Sequence, residues 1–458
     1  MTFCWNKVNS GLKTIKSNMQ KFILSWILAM FLTGAIAQSP GLKSANDFLQ
    51  DNYPSLDKLY KHLHQNPELS LQEEKTSGLI ASELKSLGFN VIRDIGAHGL
   101  AGIYKNGAGP TLLYRADMDG LPVEEKTGLP YASKVKATDA TGNEVSVMHA
   151  CGHDLHMTVF VGTARALIKA KDQWKGTLVM VAQSAEENGQ GADLMFKAGL
   201  YNKIPKPDYA IALHDNPNLE AGKLGYREGA FLAGVDMVDM TVFGKGGHGA
   251  APHTTIDPIV LSSQIIMAFQ TIVSREINPL EPAVVTVGSI HGGTVHNIIP
   301  NEVKLQLTIR SYSEEVRNQI VASMHRISKN LALAAGLPED KIPVIKIREP
   351  YAPPMINNTA LAKRVVSVFS KNFGNDNVVE MPLYMFGEDF TFFGRQNIKV
   401  PILMFWLGAV DPAKVQSAKE KGEELPSLHS PLFAPLPEPA IKTGIKAMVV
   451  AAFELFNN

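Results

Sequence analysis

The sequence predicts an α/β fold: a larger domain with a mostly parallel central sheet, interrupted by an inserted ferredoxin-like α+β domain. Three observations predict it. Short apolar runs alternate with helical stretches, and three of those runs end in ionisable residues. After Gly229 the pattern changes to alternating strands in the order β-α-β-β-α-β. After Ile356 the first pattern resumes.

The elements follow in order. Ala45 to His64 and Leu71 to Gly88 carry the apolar spacing of helices, and Phe89-Asn90-Val91-Ile92 reads as a strand start. His62 and His64 fall on the first helix and receive no role there. Thr111-Leu112-Leu113-Tyr114 leads into Arg115-Ala116-Asp117-Met118-Asp119-Gly120. Thr177 to Ala182 leads into Gln183-Ser184-Ala185-Glu186-Glu187, and Tyr209 to Leu213 into His214-Asp215. Pro401 to Trp406 is a fourth such run. Continuous apolar strands belong to a sheet covered on both faces. Ionisable residues at their carboxyl ends stand where open α/β sheets bind ligands.

The inserted unit starts with the alternating strand Val235 to Val242 and a helix from Asp257 to Arg275. Strands at Ala283 to Ile290 and Glu302 to Ser311 follow, then a helix from Ser313 to Ala335 and a strand from Ile342 to Ile347. Pro350, Pro353 and Pro354 mark the exit. The expected division is therefore a first part of the larger domain over 38–229, the insertion over 230–349 and the second part over 350–458.

Composition narrows the function. The 458 residues suffice for two or three domains. Lys+Arg and Asp+Glu are both 44, so no basic field invites nucleic acid. Lys7, Lys13, Lys16 and Lys21 precede the apolar run Phe22 to Leu32, which Ala35-Ile36-Ala37 follows. That order is a secretory signal over residues 1–37, with export to the periplasm or medium and no membrane attachment after cleavage. Cleavage removes Cys4 and leaves Cys151 as the single cysteine. A lone thiol in an oxidising compartment needs protection or use, and metal ligation supplies both.

Met148-His149-Ala150-Cys151-Gly152-His153-Asp154-Leu155-His156 is the densest stretch of metal-capable side chains. Cys151 and His153, two apart, point to different sides of a helix and so belong to a loop, which Gly152 permits. Asp154 is expected to cap a helix beginning at Leu155, whose N-terminus would help keep Cys151 a thiolate. Adjacent carboxylates at a strand end, Glu186 and Glu187, suit a division between metal ligand and general base. His214 ends the next strand, and His429 lies in the loop Ser427-Leu428-His429-Ser430-Pro431.

Four motifs carry a resemblance. They are Tyr114-Arg115-Ala116-Asp117-Met118-Asp119-Gly120-Leu121-Pro122, Met148 to Asp154, Ala185-Glu186-Glu187 and Gly246-Gly247-His248-Gly249-Ala250-Ala251-Pro252-His253. In this order, over about residues 45 to 455, the chain resembles the dinuclear aminoacylase/carboxypeptidase family of metallopeptidases. The similar branch is that of the amidohydrolases, with hippurate and auxin-conjugate hydrolases. The resemblance implies two divalent ions per subunit, zinc or manganese, held by Cys151, His153, Glu187, His214 and His429. It implies Glu186 as general base and Asp119 behind the site, orienting a ligating histidine. Where the carboxypeptidase-like branch has a histidine ligand, this chain has Asp117, whose role stays open. Whether Cys151 binds one ion or bridges both also stays open.

The resemblance further implies an inserted domain that serves as lid and homodimer contact. His248 would donate to the oxyanion in the partner subunit's site, while Asn297 and Arg310 would hold the substrate's carboxylate end. Glu388 and Asp389 are expected as pocket wall, and Phe386, Phe390, Phe392, Phe393 and Trp406 as an acyl pocket or plain core. The expected substrate is a small N-acyl amino acid, with a dipeptide as the alternative. Two other readings are a cysteine hydrolase pairing Cys151 with His153 or His149, and a binding protein with a degenerate site. The intact Glu186 speaks against the last.

Overall fold

The first helix, Pro40–Gln65, shows how local sequence sets these elements. Ser39 accepts a hydrogen bond from Leu42 N at 3.3 Å, and Pro40 fits the first helical position. Ala45, Phe48, Leu49, Leu56, Leu59 and Leu63 then face inward at helical spacing. The structure is a computed structural model that describes residues 38–457. The signal segment expected over residues 1–37, including Cys4, lies outside them.

Eight strands form the main sheet, in the spatial order Asn90–Ile92, Leu100–Asn106, Gly176–Gln183, Thr111–Asp117, Tyr209–Glu220, Ile402–Val410, Leu224–Tyr226 and Val378–Glu380. The four central strands run parallel; Asn90–Ile92 and Leu100–Asn106 extend one edge antiparallel. All residues of Thr111–Asp117 and Ile402–Val410 are buried, because packed structure covers both faces. On one face lie Pro40–Gln65, His153–Lys169 and the apolar helix Pro437–Asn457. Each fully buried large aliphatic side chain there, such as Leu56 or Ile445, contributes about 1.5–3 kcal/mol. Parallel register brings Asp117 beside Gln183, and Trp406 beside His214, along one carboxyl edge.

The chain between the two parts of this sheet builds a separate one. Gly234–Phe243, helix Pro258–Thr271, Ala283–His291, Glu302–Ser311, helix Glu314–Ala334 and Val344–Ile347 follow the expected order. In space the strands run Ala283–His291, Glu302–Ser311, Gly234–Phe243, Val344–Ile347, all antiparallel. That is the ferredoxin-like arrangement, with its own core around Val242, Ile265, Phe269, Ile309 and Ile320. Glu302–Ser311 alternates between buried and outer residues, as a sheet packed on one face requires. No helix among the described residues is long and apolar enough to cross a membrane.

Two expectations need correction, and one alternative is decided. The helix expected from Leu155 starts at His153, and Gly152 at φ 74°, not Asp154, occupies the cap position. Asp154 Oδ1 still accepts Leu155 N–H at 2.9 Å, while its Oδ2 lies 2.7 Å from His64 Nδ1, so His64 is a buried ion-pair partner and not a mere packing histidine. Among the aromatic candidates for a pocket, Phe390, Phe393 and Trp406 are core, while Phe386 is 39% exposed.

Candidate metal centre

Backbone geometry decides how the clustered side chains are aimed. Gly152 has a left-handed φ, and a Cβ there would stand 2.6 Å from the Asp215 carboxylate oxygens. Only glycine permits that approach, and it lets Cys151 and His153 leave the chain toward one space. Ala185, with φ 56°, turns the chain sharply before Glu186 and Glu187. A left-handed alanine costs roughly 1 kcal/mol, so this turn is held by its surroundings. His429 is also left-handed, at φ 66°, and its N–H donates to Ala150 O at 2.8 Å. That bond ties the C-terminal loop to the Cys151 loop.

The donors converge. Cys151 Sγ lies 3.5 Å from His214 Nε2, while His214 Nδ1 is occupied by Asp215 O at 2.8 Å. His153 Nε2 is 3.7 Å from Glu187 Oε1 and 3.9 Å from Glu186 Oε2. His429 Nε2 is 3.3 Å from Glu187 Oε2. Cys151, His153 and His214 form one group whose ligand atoms lie within 4.8 Å of one another; Cys151, Glu187 and His429 form a second, and His153, Glu186 and Glu187 a third. Cys151 is common to the first two. His153 is fully buried, and Asp119 is 1% exposed, with Oδ1 3.2 Å from His153 Nδ1. Asp119 Oδ2 accepts from Ser70 Oγ at 2.6 Å and Glu187 N at 3.0 Å.

These residues fit divalent ions. His153 Nε2 and Glu187 Oε1 are buried without a hydrogen-bond partner, yet each faces the shared space. A buried polar atom left unpaired is costly, and a cation is the partner that suits both an imidazole nitrogen and a carboxylate oxygen. Burial, with Glu187 and Glu186 beside it, pushes the Cys151 thiol well up. Coordination to a cation reverses that sign.

Burial, then Glu388 and Glu187, pushes Glu186 well above the usual carboxylate range, with His153 opposing. For His153, burial opposes charge, but Asp117 and Asp119 outweigh it and raise the imidazole. Burial lowers His149 to about 4 and keeps it neutral. His156 bridges two carboxylates, with Nδ1 2.7 Å from Asp117 Oδ1 and Nε2 3.0 Å from Asp215 Oδ1. Asp117 also lies 2.6 Å from Arg115 Nη1, so the residue left open by the sequence links a buried arginine to a buried histidine.

Some functional-site neighbours escape sequence reading. Arg115 is buried, with Glu388 and Asp389 at 3.0 and 3.1 Å and Gln183 Oε1 at 3.0 Å. Glu388 and Asp389 are thus partners of Arg115, and Glu388 also acts on Glu186. The available signal was an arginine at the end of an apolar strand, which burial obliges to find carboxylates. Glu73, whose carboxyl accepts Ala185 N–H at 2.7 Å, gave no such signal.

The inserted unit places its candidates differently. His248 and Asn297 are both exposed, on adjoining parts of a ribbon where Gly247–His248 pairs with Ile298–Ile299. Gly249 N donates to Asn297 O at 2.8 Å. Among the described residues, neither has a hydrogen bond or ion pair to the donor cluster. Arg310 is half-buried, and its Nη1 donates to Met385 O at 3.2 Å, joining the inserted sheet to the larger unit.

Comparison with known proteins agrees with this geometry. The sequence pattern of Peptidase family M20/M25/M40 matches residues 113–429. A thermostable carboxypeptidase 2 of Saccharolobus solfataricus is 36% identical over 404 residues, covering 87% of this chain and 95% of that protein. An N-acetyl-L-cysteine deacetylase of Bacillus subtilis is 38% identical, over 73% of this chain and 76% of its own. A crystal structure from Bacillus subtilis, described as a dinuclear metal binding peptidase, superposes with a TM-score of 0.72 at 27% identity, covering 89% of this chain and 99% of that one.

Proposed function

The chain belongs to Peptidase family M20/M25/M40, and from that premise we propose that this metal-dependent hydrolase cleaves the amide bond of N-acyl amino acids or similar small amides. The observation that carries the reading is Cys151: one thiol shared by two donor groups, with Glu186 within reach of a member of each. In this reading Cys151, His153 and His214 hold one divalent ion; Cys151, Glu187 and His429 hold the other; zinc and manganese are the candidates.

Two such ions, when bound, polarise a carbonyl and acidify a water. Glu186 accepts the water's proton and delivers it to the leaving nitrogen. Asp119 engages His153 through Nδ1 and so commits Nε2 to the metal side. Arg310 grips the substrate carboxylate with Asn297, and His248 of the partner subunit donates to the oxyanion. The exposed position of His248 and Asn297 supports a lid role, with the inserted unit as homodimer contact. Residues 1–37 direct export.

A second reading, a dipeptidase or carboxypeptidase on the same scaffold, is favoured by the Saccharolobus relative. Metal analysis of the purified protein, with a panel of N-acetyl and N-benzoyl amino acids against dipeptides, separates the two. The leading reading expects about two ions per chain, faster turnover of acyl amino acids, loss on chelation and recovery with Zn²⁺ or Mn²⁺. Activity that survives chelation would sink both metal readings in favour of a Cys151 nucleophile.

A further inference from the structure

We propose that Glu73 is a positioning residue: its buried side chain holds Ala185 in the left-handed turn that aims Glu186 and Glu187 at the donor cluster. The inference rests on the reading of Glu186 as general base.

Glu73 occupies the cap position of helix Glu74–Ser86 yet makes no side-chain bond to the amides of that helix. It reaches instead across 112 residues of sequence, where Oε1 accepts the Ala185 N–H at 2.7 Å. The side chain is fully buried, and Oε2 has no hydrogen-bond partner. A carboxyl so placed is costly, and the bond to Ala185 is the specific contact it secures. Ala185 needs holding, because its φ of 56° is unfavourable for any side chain larger than hydrogen. Its carbonyl is fixed as well, accepting Gly191 N at 2.9 Å and Gln190 N at 3.3 Å.

The same segment supports the turn from its other end. Ser70 donates to Asp119 Oδ2 at 2.6 Å, and that oxygen also accepts Glu187 N at 3.0 Å. Gly120 N donates to Glu68 O at 2.7 Å, which fixes residues 68–73 against the strand end carrying Asp119. The amides on either side of Glu186 are therefore both held by carboxyl groups, one from Glu73 and one from Asp119. With both neighbours fixed, the Glu186 side chain has one direction to leave the backbone.

The test uses the full-length protein with Glu73→Ala, Glu73→Gln and the double variant Glu73→Ala/Ala185→Gly. Glu73→Gln keeps an acceptor for Ala185 and is expected within about five-fold of wild-type kcat, while Glu73→Ala loses at least about thirty-fold, with KM within about three-fold. Metal content stays unchanged in Glu73→Gln. In the double variant, glycine adopts the left-handed turn without help and restores at least about ten-fold of the lost kcat. Independently, amide exchange across residues 183–190 in chelated protein should be faster in Glu73→Ala and unchanged in Glu73→Gln. Wild-type kcat in Glu73→Ala, no recovery in the double variant, or unaltered exchange would overturn the proposal. Should Glu73→Ala not fold, Glu73→Asp takes its place, since the shorter arm withdraws the acceptor and predicts the same losses. If Glu186→Gln keeps full turnover, the base reading falls, and the exchange measurement on metal-free protein still decides the role of Glu73.

Discussion

The carboxyl edge of the main sheet and the outer ribbon of the inserted unit both carry residues assigned to one reaction, but they are built differently. At the sheet edge His153, Asp119 and His156 are buried and cross-braced: Asp119 binds His153, Ser70 and Glu187, and His156 bridges Asp117 and Asp215. On the ribbon, His248 and Asn297 are exposed and joined to no member of the cluster among the described residues. Electrostatic work is strongest where groups are fixed and water is excluded, so the braced edge suits proton transfer and ion binding. A free ribbon suits contacts made only when substrate or a second subunit arrives.

The comparison breaks first at Glu186, whose flanking amides the edge holds. Glu186→Gln keeps the size and the surrounding bonds but cannot carry a proton. Its kcat should fall by about 10²–10⁴-fold, with metal content and Tm unchanged. Near wild-type kcat, measured under saturating substrate, would remove proton transfer from the braced edge.

The next effect belongs to the inserted unit. Arg310→Ala should raise KM for carboxylated substrates about ten-fold or more, a typical loss for a charge-assisted pair, and barely alter KM for their amides. Equal changes for both would make Arg310 a hinge contact through Met385 and nothing more. His248→Ala sharpens the same side of the comparison. Mixed with a Glu186→Gln chain, it should regain activity in heterodimers, because one of the two sites then combines an intact Glu186 with an intact His248 of the partner subunit while the other holds neither. Strict additivity in the mixture would confine His248 to its own chain.

What could be read from the sequence divides along the same line. Strands such as Thr111–Asp117 were legible because cover on both faces demands continuous apolar residues. The inserted unit was legible because its first strand, Gly234–Phe243, alternates. The antiparallel strand Leu100–Asn106 was not, since its pairing with Gly176–Gln183 is a long-range choice that no local pattern records. In the site, density and strand-end position exposed Cys151, His153, Glu187 and His214, while His429 depended on the resemblance. Bracing residues stayed hidden because their partners are remote: Glu73 from Ala185 by 112 residues, His64 from Asp154 by 90, Arg115 from Asp389 by 274. Asp154 was half legible: its Oδ1 bonds the Leu155 amide, but Gly152 holds the cap position and Oδ2 pairs with the remote His64.

The smallest effect on turnover, and the clearest on stability, concerns that last bracing pair. His64 Nδ1 lies 2.7 Å from Asp154 Oδ2 and its Nε2 lies 3.1 Å from Glu125 Oε1, with Tyr60 and Tyr131 packed against the ring. Burial opposes charge on His64, but the two carboxylates outweigh it and raise the imidazole from 6.5 to about 10. A raised histidine contributes stability that is complete below its unfolded value of about 6.5 and is lost as pH rises toward the folded value. Bonds of this charged kind contribute about 1.5–3 kcal/mol. Wild type should therefore exceed His64→Gln in denaturant midpoint by the most near pH 6, and the gap should close steadily between pH 6.5 and about 10. At neutral pH and 25 °C, kcat should change by less than about three-fold, since His64 touches the braced edge only through Asp154. A gap that widens with pH would mean that His64 is held neutral, and that the bracing of the His153 helix comes from packing rather than from charge.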